Sequence, residues 1–372
     1  MAIIIGGVAV SDHPSDEDDM LKALFITIWV MTLSLMVGLP APAVASSSAY
    51  SFALIADTRG PLESISPSVS INNAGTVALG ASLRTGGGGV FVGNGGGVLH
   101  TIARGEHTGF GATINDAGTV AFLGESAEGR MGMFASNGRS TTTIALGDIF
   151  GMPRINNKGA VVFLKLTLPI GDPSDGILVG SGGPLTRISS RGEGGFINDQ
   201  GTVVFVMQSE SGIQGVYLGK GGRPTLAAAA VPQGPFAGFS VSPVINNGDA
   251  IAFTAFLNIG GSGVFKICGG SLTTIANSFG PFSRFDYVAM NDSGAVVFDA
   301  DLKAGGRGIF TGVDPVKNKI IATGDPLFGS RVKELLLFRE GLNNRNQVAF
   351  HAVLEDGRQA IVRATPSYAP VP

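Results

Sequence analysis

One short stretch returns seven times along the chain, and it constrains the fold more than any other feature. Its first copy spans residues 71–79 and reads Ile-Asn-Asn-Ala-Gly-Thr-Val-Ala-Leu. The leading asparagines of the copies are Asn72, Asn115, Asn156, Asn198, Asn246, Asn291 and Asn343. Their spacings are 43, 41, 42, 48, 45 and 52 residues. A period of this length is typical of propellers and other repeat arrays.

Each copy predicts a tight turn between two strands. Asn at the first position and Gly at the fourth suit a type I turn followed by a left-handed residue. The asparagine side chain can hydrogen-bond its own backbone there. Two copies carry Asp249 and Asn346 in place of the glycine, and both residue types tolerate the left-handed region. The seven asparagines are therefore predicted to be structural turn residues.

Strand patterns surround each turn. In the first copy Val77, Leu79, Ala81 and Leu83 alternate with small or polar residues, which is a period of two. The position of Leu79 is phenylalanine in the other copies: Phe122, Phe163, Phe205, Phe253, Phe298 and Phe350. Strands with large side chains on one side and small side chains on the other suit sheets that stack against one another. Each repeat continues with a Gly-Val-Phe-like strand, a glycine turn and a fourth strand such as residues 99–103.

These units predict an all-β fold, a seven-bladed β-propeller with four-stranded blades over residues 46–365. The seventh copy ends with its third strand at residues 360–362, whereas residues 52–56 look like an unattached fourth strand. We predict that this N-terminal strand completes the last blade, which removes the long sheet edges of an open array. The alternative is an open β-solenoid, which needs capping ends.

The first 45 residues predict a leader and signal peptide. Lys22 precedes an apolar run at residues 23–39, and Ala43 and Ala45 form an A-x-A cleavage site. Residues 1–19 are acidic, which suits no signal peptide, so we expect the true start at Met20. An uncleaved membrane anchor is the alternative, and it would be the only membrane contact. Residues 366–372 form a Pro-rich tail.

Composition excludes some functions. Residues 1–45 hold five acids and one lysine, so the remaining chain has 24 basic and 23 acidic residues and a formal charge of +1. That balance argues against a nucleic-acid partner, which would select a basic face. Cys268 is the single cysteine, so no internal disulfide can form, and we expect a buried small residue or an inert strand end.

The repeated N-x-x-G-x-V-A-F pattern, followed by G-V-F and L-T-T-I-A, resembles the bacterial exported tandem-repeat proteins named for an NxxGxxxAF motif. These are choice-of-anchor or PEP-CTERM-associated proteins. The resemblance covers about residues 50–365. It implies export to the cell surface, the extracellular space or the periplasm, and it implies no activity. The chain stops without the apolar helix and basic cluster of anchored members, so release and a missing anchor both remain open.

Candidate binding residues follow the fourth strands. An acid recurs there as Asp57, Glu106, Asp148, Glu193 and Asp325, and His107 lies beside Glu106. If these carboxylates surround the channel mouth, they could bind Ca²⁺ or a polar ligand. The alternative is that each accepts hydrogen bonds from its own turn. The connections on this face vary in length, and binding often uses variable loops on a rigid scaffold.

Catalytic motifs are missing from the sequence. It contains no H-E-x-x-H, C-x-x-C, G-x-S-x-G or phosphate-binding Gly-Lys-Ser/Thr pattern. We therefore expect a non-enzymatic, monomeric binding or scaffold protein with a glycan or protein ligand and no cofactor. The alternative is a polysaccharide hydrolase or lyase with carboxylates at the channel mouth, whose spacing the sequence does not reveal. A third alternative is a purely structural surface-layer component.

Overall fold

The structure is a computed structural model that describes residues 49–147, 151–167, 172, 174–239 and 243–367. The described residues belong to one compact unit, Ala49–Pro372. The predicted leader with Ala43 and Ala45, and most of the Pro-rich tail, lie outside the described residues. All regular elements of the described residues are β-strands. None of the described segments is a helix with the length and hydropathy that a membrane crossing requires.

The strands form seven antiparallel sheets. The N-terminal strand and blades 1 to 3 contain β1 (Tyr50–Asp57), β2 (Leu62–Ile71), β3 (Val77–Leu83), β4 (Gly88–Gly93), β5 (Leu99–Gly105), β6 (Phe110–Ile114), β7 (Val120–Glu125), β8 (Met131–Ser136), β9 (Thr141–Leu146), β10 (Arg154–Ile155), β11 (Val161–Lys165), β12 (Gly176–Gly180) and β13 (Thr186–Ser189). Blades 4 to 7 contain β14 (Glu193–Ile197), β15 (Val203–Gln208), β16 (Gln214–Gly219), β17 (Thr225–Ala229), β18 (Phe236–Phe239), β19 (Val244–Ile245), β20 (Ile251–Leu257), β21 (Ser262–Cys268), β22 (Ser271–Asn277), β23 (Phe282–Met290), β24 (Val296–Leu302), β25 (Arg307–Phe310), β26 (Lys319–Ala322), β27 (Pro326–Leu327), β28 (Ser330–Leu342), β29 (Val348–Leu354) and β30 (Gln359–Pro366).

Each blade follows one order. Blade 1 pairs β2, β3, β4 and β5 in sequence, and the other blades repeat this pattern, except that the short β27 also pairs with β28 in blade 7. In blade 5 the innermost position is shared by β18 and β19, which both pair with β20. The first strand of each blade faces the central channel, and the fourth is the outer, more exposed strand. The predicted all-β, seven-bladed β-propeller is therefore confirmed.

Blade 7 is closed by the N-terminal strand, as the sequence predicted. Strand β1 pairs antiparallel with β30, with Leu54 opposite Val362 and Ala56 opposite Ile361. Beyond the ladder, the Ser367 amide donates a hydrogen bond to the Ala49 carbonyl at 2.8 Å. The two chain segments therefore form the outer half of one blade, and the sheet edge of β30 is covered.

The core lies between neighbouring blades, where a bulky face meets a small one. Phe122 and Phe134 of blade 2 stack with ring centroids 5.9 Å apart, and they pack against Ala78 and Val90 of blade 1. The side chain at the repeated Leu or Phe position is at most 3% exposed in every blade. Since this position contributes a large apolar side chain to each interface, the repeated pattern encodes the stacking of the blades.

The repeated asparagines form the predicted turns. Asn72 accepts hydrogen bonds from the amides of Ala74 and Thr76, at 3.1 and 3.0 Å. Gly75 has a φ of 86°, and the replacements Asp249 and Asn346 have φ values of 59° and 57°. The left-handed position is therefore kept where the glycine is absent.

The same asparagines also link the blades. Each side-chain Nδ2 donates to the backbone carbonyl of the equivalent asparagine in the next blade, at 2.9 to 3.3 Å. The last bond runs from Asn343 to Asn72 and closes the circle. These seven side chains are 3% to 6% exposed. We call this closed set of bonds the asparagine ring.

A second closed ring lies one residue further along each turn. Its seven members are four asparagines and three aspartates: Asn73, Asp116, Asn157, Asp199, Asn247, Asp292 and Asn344. Each backbone amide donates to the Oδ1 atom of the next member, at 2.7 to 3.0 Å. We call this set the outer ring. Together the two rings connect every blade to the next, including blade 7 to blade 1.

Candidate functional site

The propeller has two different faces. The turn face carries the short turns between the first and second strands and between the third and fourth strands. The loop face carries the connections between second and third strands and between blades. Its connections differ in length, as residues 84–87 and 166–175 show. Four of the predicted acids, Asp57, Glu106, Glu193 and Asp325, lie in the connections of the loop face or at the strand ends beside them, which is the face expected to bind.

Two of the predicted acids are paired with nearby cations. Asp57 contacts the guanidinium groups of Arg59 at 2.7 Å and Arg358 at 3.4 Å, and its side chain is 10% exposed. Asp325 contacts Lys319 Nζ at 2.9 Å and accepts the Ala322 amide at 2.9 Å. Since both carboxylates already have protein partners, their geometry is that of structural groups.

The remaining acids do not form a metal site in the described part of the chain. Glu106 and Glu193 are exposed, and Glu193 begins strand β14. Asp148 lies outside the described residues. Among the residues that the structure describes, no three His, Cys, Asp or Glu side chains gather closely enough to hold a metal ion. Calcium binding by the acids stays a prediction.

His107 pairs with a carboxylate that the sequence did not single out. Its Nδ1 lies 2.6 Å from Glu125 Oε1, at the end of β7, and not against the adjacent Glu106. The His107 side chain is 61% exposed and that of Glu125 is 25% exposed. A carboxylate on one ring nitrogen fixes the tautomer and leaves the other nitrogen free for acid–base work.

The other histidines lie in strands, and the cysteine lies at a strand end. His100 is exposed in β5. His351 is 9% exposed in β29, and burial lowers the pKa of its imidazole although Gln359 and Glu334 oppose that shift. Cys268 ends β21 and is free and exposed, which agrees with the strand-end expectation and not with the buried one.

A cluster of charges lies in blade 6 below the loop face. Arg307 contacts Asp286 and Asp299 at 2.6 Å each, and Asp301 at 2.9 Å. Burial alone lowers the pKa of Arg307, but the charges and hydrogen bonds of Asp299 and Asp286 outweigh it, so the net shift is upward. Burial raises the pKa of Asp299, although Arg307 opposes it. The cluster joins three strands of the blade and is structural.

Exposed apolar side chains are a feature of the loop face that sequence analysis missed. Three exposed aromatic residues lie there: Phe110 at 61%, Phe256 at 52% and Phe279 at 57%. Exposed aliphatic and methionine side chains accompany them on the same face: Met131, Met152, Ile213 and Ile259. Each stands at a strand end or in a loop, where alternation no longer predicts which side chains are buried.

These side chains form two groups. On blades 2 and 3, Met152 packs against Gly111, which follows Phe110 in the chain. On blade 5, the Phe279 ring lies against Gly261, in the same loop as Ile259, which is 80% exposed. Phe256 is the penultimate residue of β20, the strand that enters this loop. The loop face therefore presents two apolar patches, one on blades 2 and 3 and one on blade 5.

Comparisons with known proteins reveal a shared fold. Neither a protein-family model nor a curated protein matches the chain. An oligogalacturonate lyase from Vibrio parahaemolyticus is 12% identical, with a TM-score of 0.55, over 85% of this chain and 96% of that one. An oligogalacturonate lyase in complex with manganese is 12% identical, with a TM-score of 0.54, over 86% and 96% of the two chains.

A third similar structure is the β-propeller domain of the Trilobed protease from Pyrococcus furiosus, described as having an open velcro topology. It is 14% identical, with a TM-score of 0.52, over 70% of this chain and 85% of that one. The chain shares a fold with these proteins. Strand β1 closes the last blade of this propeller by pairing with β30.

Proposed function

We propose that this protein is an exported, non-enzymatic binding protein that holds a glycan or protein partner on its loop face. The observation that supports this most is the exposure of Phe110, Phe256 and Phe279, which lie on that face. Buried aromatic side chains each remove a large apolar area from water, so exposed ones are costly unless a partner covers them. Apolar patches on a monomer commonly mark interaction sites.

The scaffold suits this role. The two hydrogen-bonded rings hold the blades in fixed positions at the turn face. Connections of different length join the strands at the loop face, at the strand ends that lie away from the two rings. Variable loops on a rigid framework are the common arrangement for recognition. The acids Asp57 and Asp325 have protein partners already, so the apolar patches carry the proposal better than the acids do.

A paired substitution tests the loop face. The double variant Phe256→Ser/Ile259→Ser removes one apolar patch, and Val313→Ser/Val316→Ser removes side chains that are 58% and 80% exposed on the turn face. We expect binding on a glycan array, or photo-cross-linking from a probe at position 279 in the same patch in producing cells, to be lost only in the first variant. Equal binding by both variants would contradict the proposal.

Export is tested separately. We expect the protein in the periplasmic or extracellular fraction, with Ser46 as the first residue of the mature chain, because Ala43 and Ala45 form the predicted cleavage site. N-terminal sequencing of the fractionated protein measures this. A chain that keeps residues 23–39 and sediments with membranes would support the uncleaved anchor instead.

A second candidate is a polysaccharide hydrolase or lyase. The observation that favours it is the 2.6 Å contact between His107 and Glu125 on the loop face, since such a pair can orient a general base. The oligogalacturonate lyases to which this chain is similar share its fold. Incubation with oligogalacturonate, with and without Mn²⁺, would release unsaturated products that a His107→Gln variant does not form. If the intact protein forms no unsaturated products, the lyase candidate fails.

A further inference from the structure

The central channel contains a cup at the turn face, the opposite end from the loops. Its cavity is about 150 Å³. The asparagine ring and the outer ring form the mouth, and Arg154, Arg339 and Glu340 line its wall. The same wall includes Thr113 and Ser70 from neighbouring first strands. The cup lies apart from the predicted acids and from the apolar patches.

The wall of the cup depends on an irregularity in blade 7. The pairing of β28 with β29 shifts register between Leu337 and Leu342, so residues 338–341 leave the regular ladder. Gly341 makes this possible, because a Cβ atom there would lie 2.6 Å from the Ala349 carbonyl oxygen. The bulge places Arg339 and Glu340 in the wall of the channel.

The charges in the wall do not balance. Arg154 is 4% exposed and forms an ion pair with Glu340. Arg339 has no carboxylate or hydrogen-bond partner among residues 49–367 where they are described. Its guanidinium instead lies over the rings of Tyr287 and Phe338, at 5.7 and 5.8 Å. The wall therefore has two cations and one anion, with one guanidinium free to receive a ligand.

Polar atoms in the wall lack protein partners as well. Within the described chain, Thr113 Oγ1, Glu340 Oε2 and Arg339 Nε are buried without a hydrogen bond. Thr113 is only 5% exposed and lines the cavity. Buried polar atoms in proteins are nearly always bonded, to protein, water or ligand. Burial also lowers the pKa of Arg339, a cost that an anion beside it would offset.

The rim is not suited to a metal cation. Its three carboxylates already accept hydrogen bonds from the outer ring. Asp199 Oδ2 accepts from both Asn157 and Asn247, and its Oδ1 accepts the Asn157 amide. Because their oxygens accept these hydrogen bonds, the three carboxylates of the outer ring are less available as metal ligands. The three negative charges remain, however, and they disfavour the entry of ions with several negative charges.

We propose that the cup binds a small organic monocarboxylate through Arg339 and the Thr113 hydroxyl. The unpaired guanidinium of Arg339 offers one positive charge to one carboxylate, whereas the three aspartates of the rim oppose more highly charged anions. A guanidinium is well suited to a carboxylate because its N–H donors form a planar fork. A cavity of about 150 Å³ holds a molecule of about six non-hydrogen atoms, the size of benzene. Lactate and pyruvate have this size and charge, and acetate is a smaller ion of the same charge.

Isothermal titration calorimetry of the full-length protein tests the site, with acetate, lactate, pyruvate and sulfate as probes. We expect saturable one-to-one binding of at least one monocarboxylate and weaker binding of sulfate. Arg339→Gln should weaken binding about tenfold or more, because the charge is lost. Arg339→Lys should retain part of the affinity, since it keeps the charge without the fork.

Controls separate binding from folding. Arg284→Gln removes a guanidinium that is 67% exposed and paired with Asp286, and it should bind like the parent protein. Thr113→Val keeps the side-chain shape and removes only the hydroxyl, so it tests the site if Arg339→Gln fails to fold by circular dichroism. Three results would each overturn the proposal. The parent protein shows no saturable binding, the folded Arg339 and Thr113 variants bind as the parent does, or a divalent cation is the only probe that binds. Loop-face variants should leave this titration unchanged.

Discussion

At the scale of single residues, each repeated asparagine has two roles. Its oxygen accepts amides of its own turn, and its nitrogen donates to the next blade. Serine or aspartate could form the turn, but neither offers an NH₂ donor in addition to the acceptor. The preference for asparagine at all seven positions therefore follows from the contact between blades as well as from the turn. This second role is not evident in the sequence, because the partner is more than 40 residues away.

Removing one asparagine should separate the two roles. Asn156→Ala loses the bonds from Lys158 and Ala160 and the donation to Asn198, all buried or partly buried. We expect a loss of about 2–4 kcal/mol in the free energy of unfolding in urea. Asn137 accepts two amides of its own turn in the same way but is exposed, and its hydrogen bonds to described residues stay within that turn. Asn137→Ala should cost about 1 kcal/mol or less. Equal losses would show that the ring contributes nothing.

The buried His351 should make stability depend on pH. Burial lowers the pKa of its imidazole in the folded protein below the ordinary value of about 6.5. Below that value the unfolded chain binds a proton that the folded chain does not, so stability is present above about pH 6.5 and falls as pH decreases. The slope is at most about 1.4 kcal/mol per pH unit.

The measurement is urea unfolding between about pH 7.5 and 5, a range above the ordinary pKa values of carboxylates. His351→Gln should have a flatter profile than the parent protein. His100→Gln, at an exposed position of β5, should keep the parent profile. A parent protein whose stability does not change across this range would contradict the role assigned to His351.

At the scale of secondary structure, β1 and the bulged β28 differ in how readily the sequence reveals them. Residues 52–56 are recognisable because they resemble the fourth strands of the other repeats. The seventh repeat has no fourth strand of its own, so one strand position was left for them. The β28 bulge was not recognisable, because a spacing of 52 residues is equally consistent with a longer loop. Without the bulge, neither Arg339 nor Glu340 could be placed in the channel.

Contacts between distant elements explain the other omissions. His107 and Glu125 are 18 residues apart, the first in the loop before β6 and the second at the end of β7. Arg154 and Glu340 come from blades 3 and 7. A repeat pattern predicts which residues share a face. It does not predict the side chains that replace the consensus in single blades, and the candidate sites consist of those replacements.

The geometry of β1 predicts that the chain can be permuted. Tyr50 lies opposite Pro366, so a short hairpin linker could join β30 directly to β1. A chain running from Thr58 to Ser367, then through the linker to residues 49–57, would give blade 7 the same strand order as blade 1. We expect this permutant to fold and melt within a few degrees of the parent, measured by circular dichroism.

Deleting residues 49–57 is the matched comparison. It removes Ile55, which is fully buried, and exposes the edge of β30. We expect aggregation or a loss of several kcal/mol in stability. If the deletion were as stable as the parent protein, β1 would not be the closing element.

At the scale of the whole molecule, the propeller is a repeat array without ends. Open arrays are stabilised by interactions between neighbours, and their terminal units have one neighbour only. Here the Asn343 to Asn72 bond and the core cluster that combines Ile55 and Ile361 with blade 1 give blades 7 and 1 a second neighbour each. The blades that contain the chain ends should therefore be as stable as the blades opposite them.

Amide hydrogen exchange tests this equivalence. We expect the second strands of blades 1 and 7, β3 and β29, to exchange as slowly as β15 of blade 4, because each lies between two packed neighbours. In the deletion of residues 49–57, protection should fall first in blades 7 and 1 and last in blade 4, since fraying then begins at the new opening. Faster exchange in blades 7 and 1 than in blade 4 of the intact protein would mean that the propeller already opens between blades 7 and 1. The asparagine ring and the outer ring would then not maintain the closure.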